Sequence, residues 1–367
     1  MKRRHAILIA ISLAVATLAG DAMPMTLVRP SEDGKHFVLA DSGQQFVAWG
    51  FNYDHDADGR LLEDYWLGEW PTVVEDFNEM KALGANTVRI HLQTDQFMNG
   101  PNEPNATSLR QLGRLVKLAE QTGLYLDVTG LGCYHKQDVP RWYDPLGESA
   151  RWDVQARFWE AVAQTCAGSD AIFCYDLMNE PILPGADKVE TDWLAGDFAG
   201  SHFVQRIALD LAGRTRQEVA KAWVDKLVAA IRKHDNRHLV TVGVIPWALT
   251  FPGAKPLFYS EPVGEKLDFV SVHFYPQRDE VDKALTALKV YEIGKPLVIE
   301  ETFALSCGIQ ELNAFIDGSR PAADGYLGFY WGKTLDQYRQ TRDDIAAAIV
   351  ADWLDYFRTK TPEILDR

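Results

Sequence analysis

Short runs rich in β-branched and aromatic residues alternate along the chain with stretches whose apolar positions recur every three or four residues. The runs cover 46–53, 86–92, 124–130, 172–180, 239–244, 269–276, 297–302 and 325–332. The intervening stretches predict helices near 72–83, 107–122, 149–166, 215–234, 280–292, 308–317 and 341–357. In the second of these, Leu109, Leu112, Leu115, Val116 and Ala119 share one face. Regular strand–helix alternation predicts an α/β fold with parallel strands joined by right-handed crossovers, and eight such units close into a (β/α)8 TIM barrel. The alternative is an open doubly wound sheet. It requires a glycine-rich phosphate loop after its first strand, where this chain reads GFNYDHDADG. A hairpin over 26–45, with turns at Asp33-Gly34 and Ser42-Gly43, is expected to cover the barrel bottom.

The first 22 residues form a separate unit. Lys2, Arg3 and Arg4 precede an apolar run from Ala6 to Gly20, shorter than the roughly 20 residues that cross a bilayer. The pattern predicts a secretory signal peptide over 1–22, a secreted or periplasmic protein, and no stable membrane anchor. Residues 23–367 are then expected to be a single catalytic barrel. Asp and Glu total 52 against 37 Lys and Arg, for a net charge of −15. That balance argues against a nucleic-acid partner, which needs a basic face. Eleven Trp, 13 Tyr and 17 Phe supply flat apolar surfaces of the kind that suit sugar rings.

Chemistry in such a barrel sits where strands end at their C-terminal side. The fourth strand closes with Asn179, Glu180 and Pro181, the seventh with Glu300 and Glu301. Strand alternation puts Leu297, Ile299 and Glu301 on one face and Val298 and Glu300 on the other. One glutamate is therefore expected at the barrel mouth and its neighbour against the helices. Two carboxylates from separated strands over one mouth are the requirement of glycoside hydrolysis.

The pattern formed by Asn179-Glu180-Pro181 and Val298-Ile299-Glu300-Glu301 resembles glycoside hydrolase family 5, the cellulase and β-mannanase family of retaining enzymes. Matching features run from 46 to 332: Gly50-Phe51-Asn52 on strand one, Arg89 in TVRI on strand two, His273 and Tyr275 on strand six, and Trp331 closing strand eight. The resemblance implies Glu180 as acid/base, Glu301 as nucleophile, no cofactor and no metal. It implies an oligo- or polysaccharide substrate with β-linked glucosides or mannosides. Arg89 is expected to keep Glu301 ionised, Asn179 to hold a sugar 2-hydroxyl, Tyr275 to donate to the nucleophile or the sugar, and Trp331 to form a platform beneath it. Many members carry a His at the end of strand three, where this chain has Thr129; His135 or His91 is a candidate replacement.

A long connection from Leu183 to Thr215, holding Trp193, Phe198, His202 and Phe203, is expected to cap one end of the cleft. Asp54 to Gly59 begins like a calcium loop, but Tyr65 stands where the required Glu would be. Cys166 and Cys174 are spaced to close a small disulfide loop, with bonded and free states equally open. A non-hydrolytic carbohydrate-binding barrel and a transglycosylase remain the rival readings. The sugar, the linkage, endo or exo action and the oligomeric state are not legible in the sequence.

Overall fold

A computed structural model describes residues 25–341 and 344–366. The signal segment expected over 1–22 lies outside them. The barrel strands are, in order, Ala48–Tyr53, Thr87–Gln93, Tyr125–Gly132, Ile172–Asp176, a fifth in two pieces (Leu239–Thr241 and Gly243–Val244), Val270–His273, Leu297–Thr302 and Gly325–Gly328. Every neighbouring pair is parallel, the eighth strand pairs with the first, and the two pieces of the fifth reach the fourth and the sixth. The sheet thus closes on itself, and all these strand residues are buried. Burial from both sides explains why the strands read as apolar runs instead of alternating ones.

The main outer helices are Trp70–Ala82, Ala106–Thr122, Glu148–Cys166, Arg216–Arg232, Val281–Leu288, Ile309–Ser319 and Ile345–Leu365. Their ends follow local chemistry. Asn105 caps one by accepting from the Thr107 N–H, and Gly123 ends it at φ 66°. Thr215 and Glu218 form a reciprocal capping box on another.

The N-terminal cover holds three short strands, Val28–Pro30, Phe37–Leu39 and Gln45–Phe46, one more than the expected hairpin. It seals the bottom with aromatic side chains. Phe37 meets Phe173 and Phe269 edge-on at 5.1 and 5.2 Å, and Phe46 meets Tyr125 at 5.0 Å. All four cysteines are free. Cys166 belongs to the large cluster beneath the helices, whereas Cys174 belongs to the small cluster inside the barrel bottom. The two lie on opposite sides of the sheet, so their short sequence spacing does not bring the sulfurs together.

Candidate active site

Arg89 is the hub of the barrel mouth. It is fully buried on strand two and uses all five of its N–H donors. Nε donates to Thr129 at 2.8 Å, Nη1 to Asn52 at 2.9 Å and Glu301 at 2.6 Å, and Nη2 to Asp176 at 2.8 Å and Asn179 at 2.9 Å. Glu300 Oε2 stands 3.4 Å from Nη2. A buried guanidinium is tolerated only when paired in this way.

Glu301 faces the mouth, but not by simple alternation. Leu297 and Ile299 pack under the helices and Val298 packs inside the barrel. Strict alternation would then turn Glu300 inward and Glu301 outward. Strand seven instead carries one extra residue here: Val272 pairs with Ile299, while the next residue, His273, pairs with Glu301. The strand-eight side shows the same shift between Ile299 and Thr302. The bulge re-aims Glu301, so both glutamates point to the axis. The expectation that one of them meets the helix layer is corrected.

Tyr275 O–H donates to Glu301 Oε2 at 2.6 Å. Burial pushes the Glu301 carboxyl above its ordinary value, against the opposing pull of His273 and Arg89. Arg89, expected to keep Glu301 ionised, does pull this carboxyl down together with His273, and desolvation outweighs the two.

Glu180 follows the fourth strand in an irregular segment tied to strand five, its N–H donating to Gly243 O at 2.9 Å. It adopts φ 47°, a left-handed conformation that costs a non-glycine residue about 1–3 kcal/mol and persists where surroundings enforce it. His273, fully buried, lies between the two carboxylates. Its Nδ1 is 2.9 Å from Glu180 Oε1 and 3.5 Å from Glu301 Oε2. Glu180, His273 and Glu301 each place one ligand-type atom within 4.8 Å of the others. Gly243 is required by this crowding: a Cβ there would stand 2.4 Å from Glu300 Oε2 and 2.7 Å from His273 Nε2.

The remaining residues divide. Asn179 lines the cleft; its Nδ2 donates to Phe203 O at 2.9 Å, which leaves its second N–H. Asn52 lies beneath, accepting from Arg89 and bonding His91 Nε2 at 3.2 Å. His91 lines the cleft and bonds the Tyr134 hydroxyl, whereas His135 pairs with Asp138 in the outer loop. Trp331 is displaced from its expected role. Strand eight ends at Gly328, and the indole lies fully buried, edge-on to Phe51 at 5.2 Å. The aromatic residue that reaches the cleft from this strand is Phe329.

The cleft, about 300 Å³, is walled by the long insertion. Leu194–Ala195 and Val204–Arg206 form a small sheet with Pro181–Ile182, and Phe198 and Phe203 enter the cleft wall. Asp54 is buried and paired with His55 Nδ1 at 2.9 Å, so the loop after strand one is held by its own contacts. The residues not singled out in the sequence are Asp127 and Asp176, which with Thr129 and Glu300 form a buried floor under Arg89.

Comparison with known proteins bears on the family and the fold. The sequence model of the cellulase family (glycosyl hydrolase family 5) matches residues 40–304. Mannan endo-1,4-β-mannosidase A of Aspergillus aculeatus is 23% identical over 94% of this chain and 93% of its own. In three dimensions the chain is similar to an exo-β-1,4-mannosidase of Opitutaceae bacterium strain TAV5 (TM-score 0.66, 18% identity), covering 93% of this chain and 63% of that one. It is also similar to a β-mannanase of Streptomyces thermolilacinus solved with mannohexaose (TM-score 0.51, 21% identity, 83% of this chain and 84% of that one). At these identities the structural likeness establishes the barrel fold.

Proposed function

The chain belongs to glycosyl hydrolase family 5, the O-glycosyl hydrolases of β-linked sugars, and from that premise we propose that it cleaves β-1,4-mannosidic bonds with retention of configuration. Glu301 is the nucleophile and Glu180 the acid/base. In the first step Glu301 attacks the anomeric carbon while Glu180 gives its proton to the leaving oxygen. In the second, Glu180 takes a proton from water as the water oxygen attacks the anomeric carbon, which breaks the bond to Glu301 and releases the sugar. Tyr275 and Arg89 hold the nucleophile, and the unused N–H of Asn179 is available to a sugar 2-hydroxyl.

The observation that carries this reading is the approach of Glu180 and Glu301, with carboxylate oxygens within 4.8 Å. Retaining enzymes hold their carboxyls about 5–5.5 Å apart and inverting ones roughly 6.5–9.5 Å. The mannan-degrading relative supports the choice of sugar. Residues 1–22 serve as an export signal, and the remainder acts as one catalytic unit outside the cytoplasm. Among the described residues no helix is long and apolar enough to cross a membrane.

The test is product analysis. Wild type and Glu301→Ala are incubated with β-mannan, mannohexaose, cellulose, mixed β-glucan and xylan. Release from mannan and mannohexaose by wild type alone, with the first product as the β-anomer by NMR, is the expected result. An α-anomer overturns retention. Preference for cellulose overturns the sugar. Sugar binding without release supports the binding-barrel reading, and longer products at high oligosaccharide concentration support transglycosylation.

A further inference from the structure

Among the described residues, five carboxyl groups (Asp127, Asp176, Glu180, Glu300 and Glu301) surround Arg89 and His273 at the mouth and floor of the barrel. Asp176 is accounted for as an anion: its oxygens accept from Arg89, Thr129 and the Gly243 N–H. Asp127 and Glu300 differ. Among the described residues no amide, hydroxyl or guanidinium reaches either carboxyl oxygen of Asp127 or Oε1 of Glu300. Each faces the other's carboxyl, and Asp127 also faces the Cys174 thiol. Carboxylates only accept, so two carboxyls hydrogen-bond only when one holds a proton.

The surroundings decide which one. Glu300 Oε2 lies 3.3 Å from His273 Nε2 and 3.4 Å from Arg89 Nη2. Asp127 has no cation within salt-bridge distance among the described residues; it faces Glu300 from strand seven, Arg89 from strand two, and Asp176 with the Cys174 thiol from strand four. The negative charge belongs on Glu300 and the proton on Asp127. His273 in turn faces Glu180 from strand four, Glu300 and Glu301 from strand seven, and Arg89 and His91 from strand two. Its two nitrogens each point at a carboxylate oxygen, an arrangement that a neutral ring satisfies at one nitrogen only.

We infer that Asp127 is a standing carboxylic acid whose proton keeps Glu300 ionised as the counter-ion of an imidazolium at His273, and that this chain of three positions Glu180. The inference deepens the proposed reading and rests on it for its last link alone. The electrostatics agree. Burial and the neighbouring Glu300 push Asp127 well above the carboxylate range. Burial would push Glu300 up too, but Arg89 and His273 hold it at about 2. Burial disfavours the His273 cation, yet Glu301, Glu180 and Glu300 raise it to about 10. With Nδ1–H donating to Oε1 of Glu180, the acid proton of Glu180 is confined to Oε2, the oxygen left for the glycosidic bond.

Two substrate-free measurements on the full chain test this. Infrared difference spectra at neutral pH read the carbonyl band of protonated carboxylic acids, and 15N NMR reads the His273 titration, assigned with His273→Gln. Asp127→Asn should remove one acid band and leave the His273 titration in place, because the amide still donates to Glu300. Glu300→Gln should lower the His273 titration by roughly one unit or more. Loss of the band in Glu300→Gln with a shifted histidine in Asp127→Asn puts the charge on Asp127 and overturns the inference. So does an unmoved histidine in both. If Glu300→Gln does not fold, the band lost or kept in Asp127→Asn decides the proton's place by itself. For the link to Glu180, the alkaline limb of kcat/KM should move to lower pH in Glu300→Gln and not in Asp127→Asn. A limb that stays while the histidine moves overturns that link, and none of these outcomes depends on which sugar is cleaved.

Discussion

Replacing Arg89 by leucine would keep most of its volume and remove the charge on which the mouth is built. The five acceptors at 2.6–2.9 Å lose their donor, and Asp176, Glu300 and Glu301 lose their shared cation. Breaking a buried ion pair from one side costs about 3–5 kcal/mol, a large share of a net stability of about 5–15 kcal/mol. Protonation softens the loss. Asp176 is already raised to about 6 by burial and by Glu300, and without Arg89 it rises further. The folded variant then binds more protons than the unfolded chain, so its stability falls as pH rises, by about 1.4 kcal/mol per pH unit for each such group. The deficit against wild type should therefore be larger near pH 8 than near pH 5. Urea denaturation followed by tryptophan fluorescence at both pH values measures it. A loss under about 1 kcal/mol near pH 8, or a deficit that grows as pH falls, would refute the claim that Arg89 neutralises this cluster.

Tyr275→Phe removes the donor to Glu301 Oε2 and should lower kcat/KM roughly 10- to 100-fold, the equivalent of a hydrogen bond to a charged group. In the proposed mechanism Glu301 must be ionised, so activity should fall as pH drops through its raised value; losing the donor should move that acid limb to higher pH, and an unmoved limb counts against the nucleophile assignment. Gly243→Ala should cost about 1–3 kcal/mol by calorimetry, since its Cβ overlaps Glu300 and His273, and an unchanged melting temperature would show that the floor can shift. Phe329→Ala should raise KM with little change in stability, whereas Trp331→Ala should lose about 3–5 kcal/mol with KM unchanged; the reverse pattern would return Trp331 to the cleft.

The barrel was legible because eight apolar runs and the amphipathic stretches between them leave few other ways to bury so many strands. Glu180, Glu301, Arg89, His273 and Tyr275 were legible as candidates because they sit at strand ends, where a barrel concentrates chemistry. Asp127 and Asp176 were not, although LYLDVTG and IFCYDLMNE each place an acid inside an apolar run. Such an acid demands a partner, but its identity depends on which strands neighbour across the barrel. Trp331 was misplaced because counting along the run assumes that strand eight continues past Gly328. The two-faced reading of Glu300 and Glu301 failed for a related reason: period-two counting has no means of detecting an extra residue.

That extra residue makes the site sensitive to length as well as to composition. A substitution in strand seven acts on one side chain. Deleting a single residue between Ile299 and Thr302 would restore regular pairing with strands six and eight and leave one glutamate, at the inward place of Glu300, where the mouth now has two. A redesign by loop grafting or strand shuffling that removed this residue would take the Glu301 carboxylate out of the mouth, with Val298 and Ile299 still on either side of the sheet.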